Sequence, residues 1–312
     1  MFGNGNGSFQ EEIEVHFNDS STPYNVAVSD FNNDNLSDIA ITVKDYDNIV
    51  ILLGNGDGTF KEHMTFSIDN DNNSMGPMVV NDFNSDGLMD IVVATNDADN
   101  LYVLLGNGNG TFGTQITYST GHLNVPSWVA DGDFNTDDLL DIVMVHRDLD
   151  NIDVFLGNGD GTFQVPRTLS TGDMTEPISI AVGDFDNDSL LDITFGMSMG
   201  KGVGVMLGNG DSTFKQPLLF VIEPGSALSQ VIVSDFNNDH RLDIGFIDSM
   251  RSSVGVLIGN GDGTFKDEII SFTIVNHSPT WISVGDFNND GLSDIVFSKQ
   301  SINSIGILLN AC

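Results

Sequence analysis

The residues of this 312-residue chain best suited to chemistry are oxygen donors, set out in a nine-residue pattern that occurs six times. The copies read DFNNDNLSD from Asp30, DFNSDGLMD from Asp82, DFNTDDLLD from Asp133, DFDNDSLLD from Asp184, DFNNDHRLD from Asp235 and DFNNDGLSD from Asp286. Positions 1, 3, 5 and 9 always carry a side-chain oxygen. These are Asp30, Asn32, Asp34 and Asp38; Asp82, Asn84, Asp86 and Asp90; Asp133, Asn135, Asp137 and Asp141; Asp184, Asp186, Asp188 and Asp192; Asp235, Asn237, Asp239 and Asp243; and Asp286, Asn288, Asp290 and Asp294. A tight loop turns such alternate oxygens inward. The main-chain carbonyl of position 7 (Leu36, Leu88, Leu139, Leu190, Arg241 and Leu292) then completes a shell of about six or seven oxygens at roughly 2.3–2.6 Å. Flexible, oxygen-only coordination selects calcium over zinc, and the number of ligands favours it over magnesium. Asp and Asn are also ordinary turn formers, but a turn does not require four oxygens at fixed spacing in every copy. The expectation is structural Ca²⁺, about six ions in all, one per loop.

The copies are unequal. Position 6 must turn sharply, which suits Asn35, Gly87 and Gly291 better than Asp138, Ser189 and His240. Asp186 adds a carboxylate to the fourth loop, expected to bind tightest. His240 and Arg241 crowd the fifth, expected to be weakest.

Charge points the same way. Forty-five acidic residues against ten basic ones give a formal charge of −35. Phosphate backbones and anionic membrane surfaces are repelled by such a chain, so no nucleic-acid partner is expected. Self-repulsion opposes a compact fold unless cations neutralise it, and ten Lys and Arg are too few. The single cysteine, Cys312, excludes an intrachain disulfide and a multi-cysteine zinc site. No apolar run of about 18 residues calls for membrane insertion. The N-terminal MFGNGNGSF lacks the basic and apolar regions of a signal peptide.

The elements that must position these loops are legible from the repeat. The anchor aspartates are spaced by 52 residues once and 51 thereafter, and a second marker keeps the same period: Phe9, Phe60, Phe112, Phe163, Phe214 and Phe265 close LGNGDGTF-like segments. Within the third unit the apolar runs are SWVADGDF, DIVMV, IDVFLG and TFQVPRTL, which read as four strands and no helix. Four strands in about 50 residues is the size of a propeller blade, whereas a parallel β-helix has shorter rungs. The expected architecture is all-β, a single propeller domain over residues 1–312 built of six four-stranded blades, each a repeat of about 51 residues. Residues 3–17 supply a hairpin and a strand, while the chain stops after a third strand at Ile307, Leu308, Leu309 and Asn310, so the N-terminal strand is expected to complete the last blade. A fragment of a longer array would instead have seven blades. The Asn-Gly and Asp-Gly steps read as hairpin turns and not as a phosphate loop, because no helix start or Lys-Ser/Thr pair follows them.

With the DxNxDxxxD loop between strands one and two and the glycine-rich hairpin after strand three, the chain resembles the FG-GAP/VCBS repeat family, best known from integrin α-subunit propellers. The resemblance covers residues 3–309. It implies a calcium-stabilised propeller, usually seven-bladed, placed outside the cell or on its surface and used in adhesion or in carbohydrate and protein recognition. Only the loop aspartates and asparagines carry over. Six repeats stand in place of seven, and LGNGDGTF replaces the FG…GAP signature, so no particular ligand follows. Some fungal lectins and several secreted enzymes contain similar repeats, which makes a propeller of a polysaccharide-acting enzyme the alternative.

Because strands alternate in direction, the calcium loops and GNGDG hairpins share one face, and the strand 2–3 loops and blade connections share the other. The first face is nearly uniform among repeats; the second varies, as a surface adapted to a ligand should. It carries Asp45, Asp47, Asp97, Asp99, Asp148 and Asp150 in the first three units and Lys201, Arg251 and Lys299 in the last three. Tyr24, Trp128 and Trp281, near the start of first strands, approach this face and could stack on sugar rings, although aromatic residues in such places also serve as packing. The six histidines occupy unrelated registers, and no catalytic set is expected; an enzyme would need a site that breaks the six-fold pattern, for which His146, Arg147 and Asp148 form the least implausible cluster. The functional expectation is a non-enzymatic, extracellular recognition or adhesion module. Its protein or carbohydrate ligand would bind the face opposite the calcium loops.

Overall fold

Each repeat alternates short β-branched runs with turn residues, so its chain folds back on itself as a meander. The computed structural model describes residues 22–43, 48–61, 63–68, 75–95, 100–120, 126–198, 202–274, 279–299, 302 and 304–311. They form six antiparallel sheets, five of four strands and a last one of three. In the third blade the strands are Pro126–Gly132, Asp141–His146, Asn151–Phe155 and Arg167–Ser170, hydrogen-bonded in chain order. Among the described residues the helical structure is limited to 3₁₀ geometry, in the turn Arg147–Leu149 and at Ile302. The molecule is an all-β propeller of six blades. The strand expected to complete the last blade, from residues 3–17, lies outside the described residues.

The sheets pack face to face, which explains why the second strands show no period-two polarity: both faces are covered. Asp141–His146 is buried throughout. Its Ile142 and Met144 join a cluster with Val92, Ala94 and Leu101 of the second blade, while Val143 and Val145 join one with Ile193 and Phe195 of the fourth. Five such clusters seal the seams between consecutive blades. At about 1.5–3 kcal/mol for each fully buried large aliphatic side chain, these seams are the main cohesive term. Among the described residues no cluster joins the sixth blade to the first, and Val26 (54%), Val28 (63%) and Ile305 (45%) stay exposed there.

First strands touch their neighbours around the axis, and polar side chains stitch them. Gln230 Nε2 donates to Ile282 O at 3.0 Å while its Oε1 accepts from Ile282 N at 2.9 Å. Ser179 Oγ accepts from Val231 N at 3.0 Å. Trp128 of the third blade meets Trp281 of the sixth across the axis, ring centroids 5.1 Å apart; in a six-membered ring these two blades stand opposite each other.

Candidate functional site

The acidic loops are built by the backbone as much as by carboxylates. Position 1 is the hub: Asp82 Oδ1 accepts from Asp86 N at 3.0 Å and its Oδ2 from Gly87 N at 2.7 Å, with equivalents from Asp30 to Asp286. Position 5 then accepts from the N–H of position 7, as Asp86 does from Leu88 at 2.8 Å. This curl needs two left-handed residues. Position 6 supplies one, at φ of 62° for Asn35, 63° for Asp138, 68° for Ser189 and 64° for His240. Position 4 supplies the other, at Asn33, Ser85, Thr136, Asn187, Asn238 and Asn289. The sequence reading missed position 4, although Asn, the non-glycine residue most at ease there, fills four of the six copies.

Position 9 opens the second strand and is buried in every blade. Its two oxygens clamp the loop to the following hairpin: Asp192 accepts from Phe185 N and from Gly208 N, both at 2.7 Å. The same pair of bonds recurs at Asp38, Asp90, Asp141, Asp243 and Asp294. Burial, opposed by these two N–H bonds and reinforced by neighbouring loop carboxylates, pushes Asp90, Asp141 and Asp192 up to about 6 and raises Asp38 and Asp243 as well. The hairpin glycine cannot be replaced without movement, since a Cβ on Gly208 would run into the carbonyl of Leu191. Neighbouring blades meet over the loop. Phe31 N–H and carbonyl are both used, the carbonyl accepting from Gly110 N at 2.9 Å, and the Phe31 ring packs edge-on to Phe112 with centroids 6.0 Å apart. The phenylalanine that follows the anchor aspartate and the phenylalanine that closes the hairpin are therefore contact partners in successive blades, as Phe83 with Phe163 and Phe185 with Phe265 also are.

Three observations bear on whether these loops suit a cation. Donors at positions 1, 3, 5 and 9 are oxygens throughout. Carboxylate oxygens of Asp184, Asp186 and Asp188 lie within 4.8 Å of one another. Asn32 Oδ1 and Asp186 Oδ1 are buried with no hydrogen-bond partner, a costly state that a ligated cation relieves. In the second, third, fifth and sixth loops the position 3 amide instead bonds position 5, as Asn84 Nδ2 does to Asp86 Oδ2 at 2.9 Å. The oxygen-only set fits a hard divalent cation. In the fifth loop the Arg241 side chain lies against the hairpin at Gly261, where leucines stand in the first four blades, so its stem replaces their packing. In the fourth, Lys215 Nζ reaches Asp186 Oδ2 at 3.4 Å.

On the opposite face the structure brings the three tentative ligand residues together. Tyr24, Trp128 and Trp281 line one cavity of about 970 Å³ at the mouth of the central channel, with Arg147, Asp148 and Gln230 around it. Sequence reasoning missed Gln230, which holds the repeat position of Trp128 and Trp281, and Ser127, Ser229 and Thr280, which hold that of Tyr24; the repeat register was the signal that could have found them. The cluster of His146, Arg147 and Asp148 separates. His146 is 1% exposed, its Nε2 2.9 Å from Asp153 Oδ2, and Thr168 Oγ1 donates to Asp153 Oδ1 at 2.6 Å. Burial alone would raise the Asp153 carboxyl, but His146 and Thr168 hold it below its usual value. Arg147 and Asp148 face the cavity instead. Two other charges of this face serve structure. Asp150 accepts from Met174 N and Glu176 N at 2.7 Å, and Arg251 bonds Ser226 Oγ, Pro224 O and Asp248. Lys299 lies 5.4 Å from the centre of the Phe297 ring. Asp45, Asp47, Asp97, Asp99 and Lys201 lie outside the described residues.

Comparison with known proteins agrees with this geometry. The sequence matches the FG-GAP-like repeat family over residues 30–93, 82–144, 133–195 and 235–297, and each match begins on a position 1 aspartate. No curated protein sequence matches the chain. Among solved structures, an Agrocybe aegerita lectin described for recognition of non-reducing terminal N-acetylglucosamine is 19% identical at a TM-score of 0.60, over 91% of this chain and 80% of the lectin. A streptogramin B lyase is 19% identical at a TM-score of 0.66, over 92% of this chain and 80% of the lyase. At that identity the likeness is one of fold. Among the described residues no helix is long and apolar enough to cross a membrane.

Proposed function

Because this chain belongs to the FG-GAP-like repeat family, we propose that it is a calcium-stabilised recognition module, extracellular or at the cell surface, that takes a protein or glycan ligand at its channel mouth. One observation carries the recognition reading: aromatic residues from the first, third and sixth blades converge on a single cavity on the face that varies among repeats. The first strands that carry Trp128 and Trp281 are hydrogen-bonded to those of neighbouring blades. Such a surface is preorganised, and little ordering entropy is lost on binding.

In each loop the side chains of positions 1, 3, 5 and 9 and the position 7 carbonyl would hold the cation, which when bound supplies positive charge among crowded carboxylates. Support comes from the oxygen-only donor set, the unpartnered oxygens of Asn32 and Asp186 and the formal charge of −35. The metal role is structural and the ligand role is separate, since the loops and the cavity occupy opposite ends of the blades. A polyanionic ligand is disfavoured by the same charge.

The test is a panel of immobilised glycans and proteins probed with the intact chain in millimolar calcium, then with Trp128→Ala and Trp281→Ala. A bound ligand should lose affinity in both variants, while their calcium-dependent melting stays close to that of the parent. Undiminished binding in both variants would overturn the placement of the site.

A further inference from the structure

The chemistry left available at the channel mouth narrows what it can hold. Most polar side chains that line the cavity are already committed to the protein. Ser127 Oγ donates to the carbonyls of Val145 and Pro177 at 3.4 and 3.3 Å. Both ends of the Gln230 amide are taken by the Ile282 backbone, and Thr280 Oγ1 pairs with Ser298 Oγ at 2.7 Å. A neutral sugar is fixed chiefly by convergent hydrogen bonds, and these residues have few to spare.

What remains is aromatic surface, charge and one unpartnered hydroxyl, that of Ser229. Trp128 and Trp281 are splayed by 33°, and Trp281 and Tyr24 remain 38% and 41% exposed. Of the charged groups, Arg147 leans toward Glu176, its Nη2 3.8 Å from Oε2. Asp150 is spent on the backbone of Met174 and Glu176. Asp148 has neither a hydrogen bond nor an ion pair among the described residues. Asp148, Asp150 and Glu176 together outnumber Arg147, and the chain as a whole carries −35, so the local field is negative. An aromatic face attracts a cation through its quadrupole. A primary ammonium wants three acceptors, of which the cavity offers one free carboxylate, Asp148, and one unpartnered hydroxyl, Ser229; a fully methylated ammonium wants none.

We propose that the channel mouth binds a methylated ammonium group, seated against the rings of Trp281, Trp128 and Tyr24 with Asp148 as its counter-ion. This rests on the reading that the cavity is the ligand site and names the group it selects. The group's source is either a small quaternary amine or a trimethylated lysine side chain, and the probes below separate the two.

Both tryptophans of the chain lie in the cavity, so intrinsic fluorescence reports directly on occupancy. The intact chain in calcium at constant ionic strength is titrated with tetramethylammonium, choline and a trimethyllysine peptide. 3,3-Dimethylbutanol, the uncharged isostere of choline, and chitobiose serve as neutral probes. The cations should give a saturable change, with the isostere at least about tenfold weaker, the peptide outranking choline if lysine is the source. Loss of one ring in Trp281→Ala should weaken the cations roughly two- to thirtyfold, the range from an exposed to a desolvated cation–aromatic contact, and Trp281→Phe should recover part of it. Asp148→Asn, an exposed turn position that leaves the fold unchanged, should weaken them several-fold and reduce the salt dependence. Equal binding of the isostere, or saturation by chitobiose without response to any cation, would overturn the ammonium assignment and leave the channel mouth as the site. Tryptophan fluorescence indifferent to a ligand that the chain does bind would overturn both.

Discussion

Gln230 offers the cleanest measure of what holds successive blades together. Its side chain is 4% exposed and satisfies both the N–H and the carbonyl of Ile282, itself 1% exposed, in the next blade. Gln230→Leu keeps the length and apolar volume of the side chain but strands both backbone groups. Each buried unsatisfied group costs about 1–3 kcal/mol, so the variant should lose about 2–6 kcal/mol. No charge changes, which leaves hydrogen bonding as the only large term. At about 2 °C per kcal/mol for a chain of this size, the melting point should fall by roughly 4–12 °C. Ser179→Ala strands a single donor, Val231 N, and should cost about half as much. Thermal unfolding followed by near-ultraviolet circular dichroism in constant calcium compares the two, and amide exchange at Ile282 should accelerate in Gln230→Leu alone. A Gln230→Leu melting point within 2 °C of the parent, or a Ser179→Ala loss equal to it, would refute the claim that these inner-strand bonds fasten the blades.

Calcium removal should lower the melting temperature markedly, since sites with dissociation constants of roughly 10⁻⁴–10⁻³ M in millimolar calcium each add on the order of 1 kcal/mol; an unchanged curve in EDTA at low ionic strength would contradict this. Graded chelation should empty the Asp235–Asp243 loop first and the Asp184–Asp192 loop last, as read by metal occupancy in soaked crystals, and equal loss from all six would count against the local charge argument. In EDTA the melting temperature should rise as the pH falls from 7 to 5: Asp90, Asp141 and Asp192 are held at about 6 against an ordinary 3.8, so the stability their protonation adds is full below 3.8 and lost as the pH rises through about 6. Asp153, held low by His146 and Thr168, loses its contribution only as the pH falls below the ordinary carboxylate range. Calcium should flatten the rise by keeping the loop carboxylates ionised, and a melting temperature that falls over that window in EDTA would reject the shifts.

Local chain chemistry was enough to recognise the repeat, its four strands and the acidic loop, because turns, hairpins and oxygen spacing depend on residues a few places apart. Even there the reading was partial. Asn33, Asn187, Asn238 and Asn289 sit at a left-handed position that the residue type announces, yet attention to the oxygens at alternate places passed over it. Asp192 and its equivalents were legible as loop carboxylates, but their backbone clamp was not, since the hairpin glycine that completes it lies 16 residues further on.

The sequence by itself determined the period of 51 residues, the class of the fold and the oxygen character of the loops, all set by interactions within one blade. Tertiary structure alone decided what the blades do to one another. Phe31 and Phe112 mark separate repeats until packing makes them partners, and Trp128 and Trp281 are equivalent residues half the chain apart until a ring of six places them face to face. The His146 that stood beside Arg147 and Asp148 in sequence turns into the sheet interior because successive strand residues point to opposite faces, whereas its two neighbours leave the strand and reach the cavity. Ring closure is a global constraint: the repeat register places Tyr24, Trp128 and Trp281 near one face, but only closure brings residues of opposite blades into one cavity.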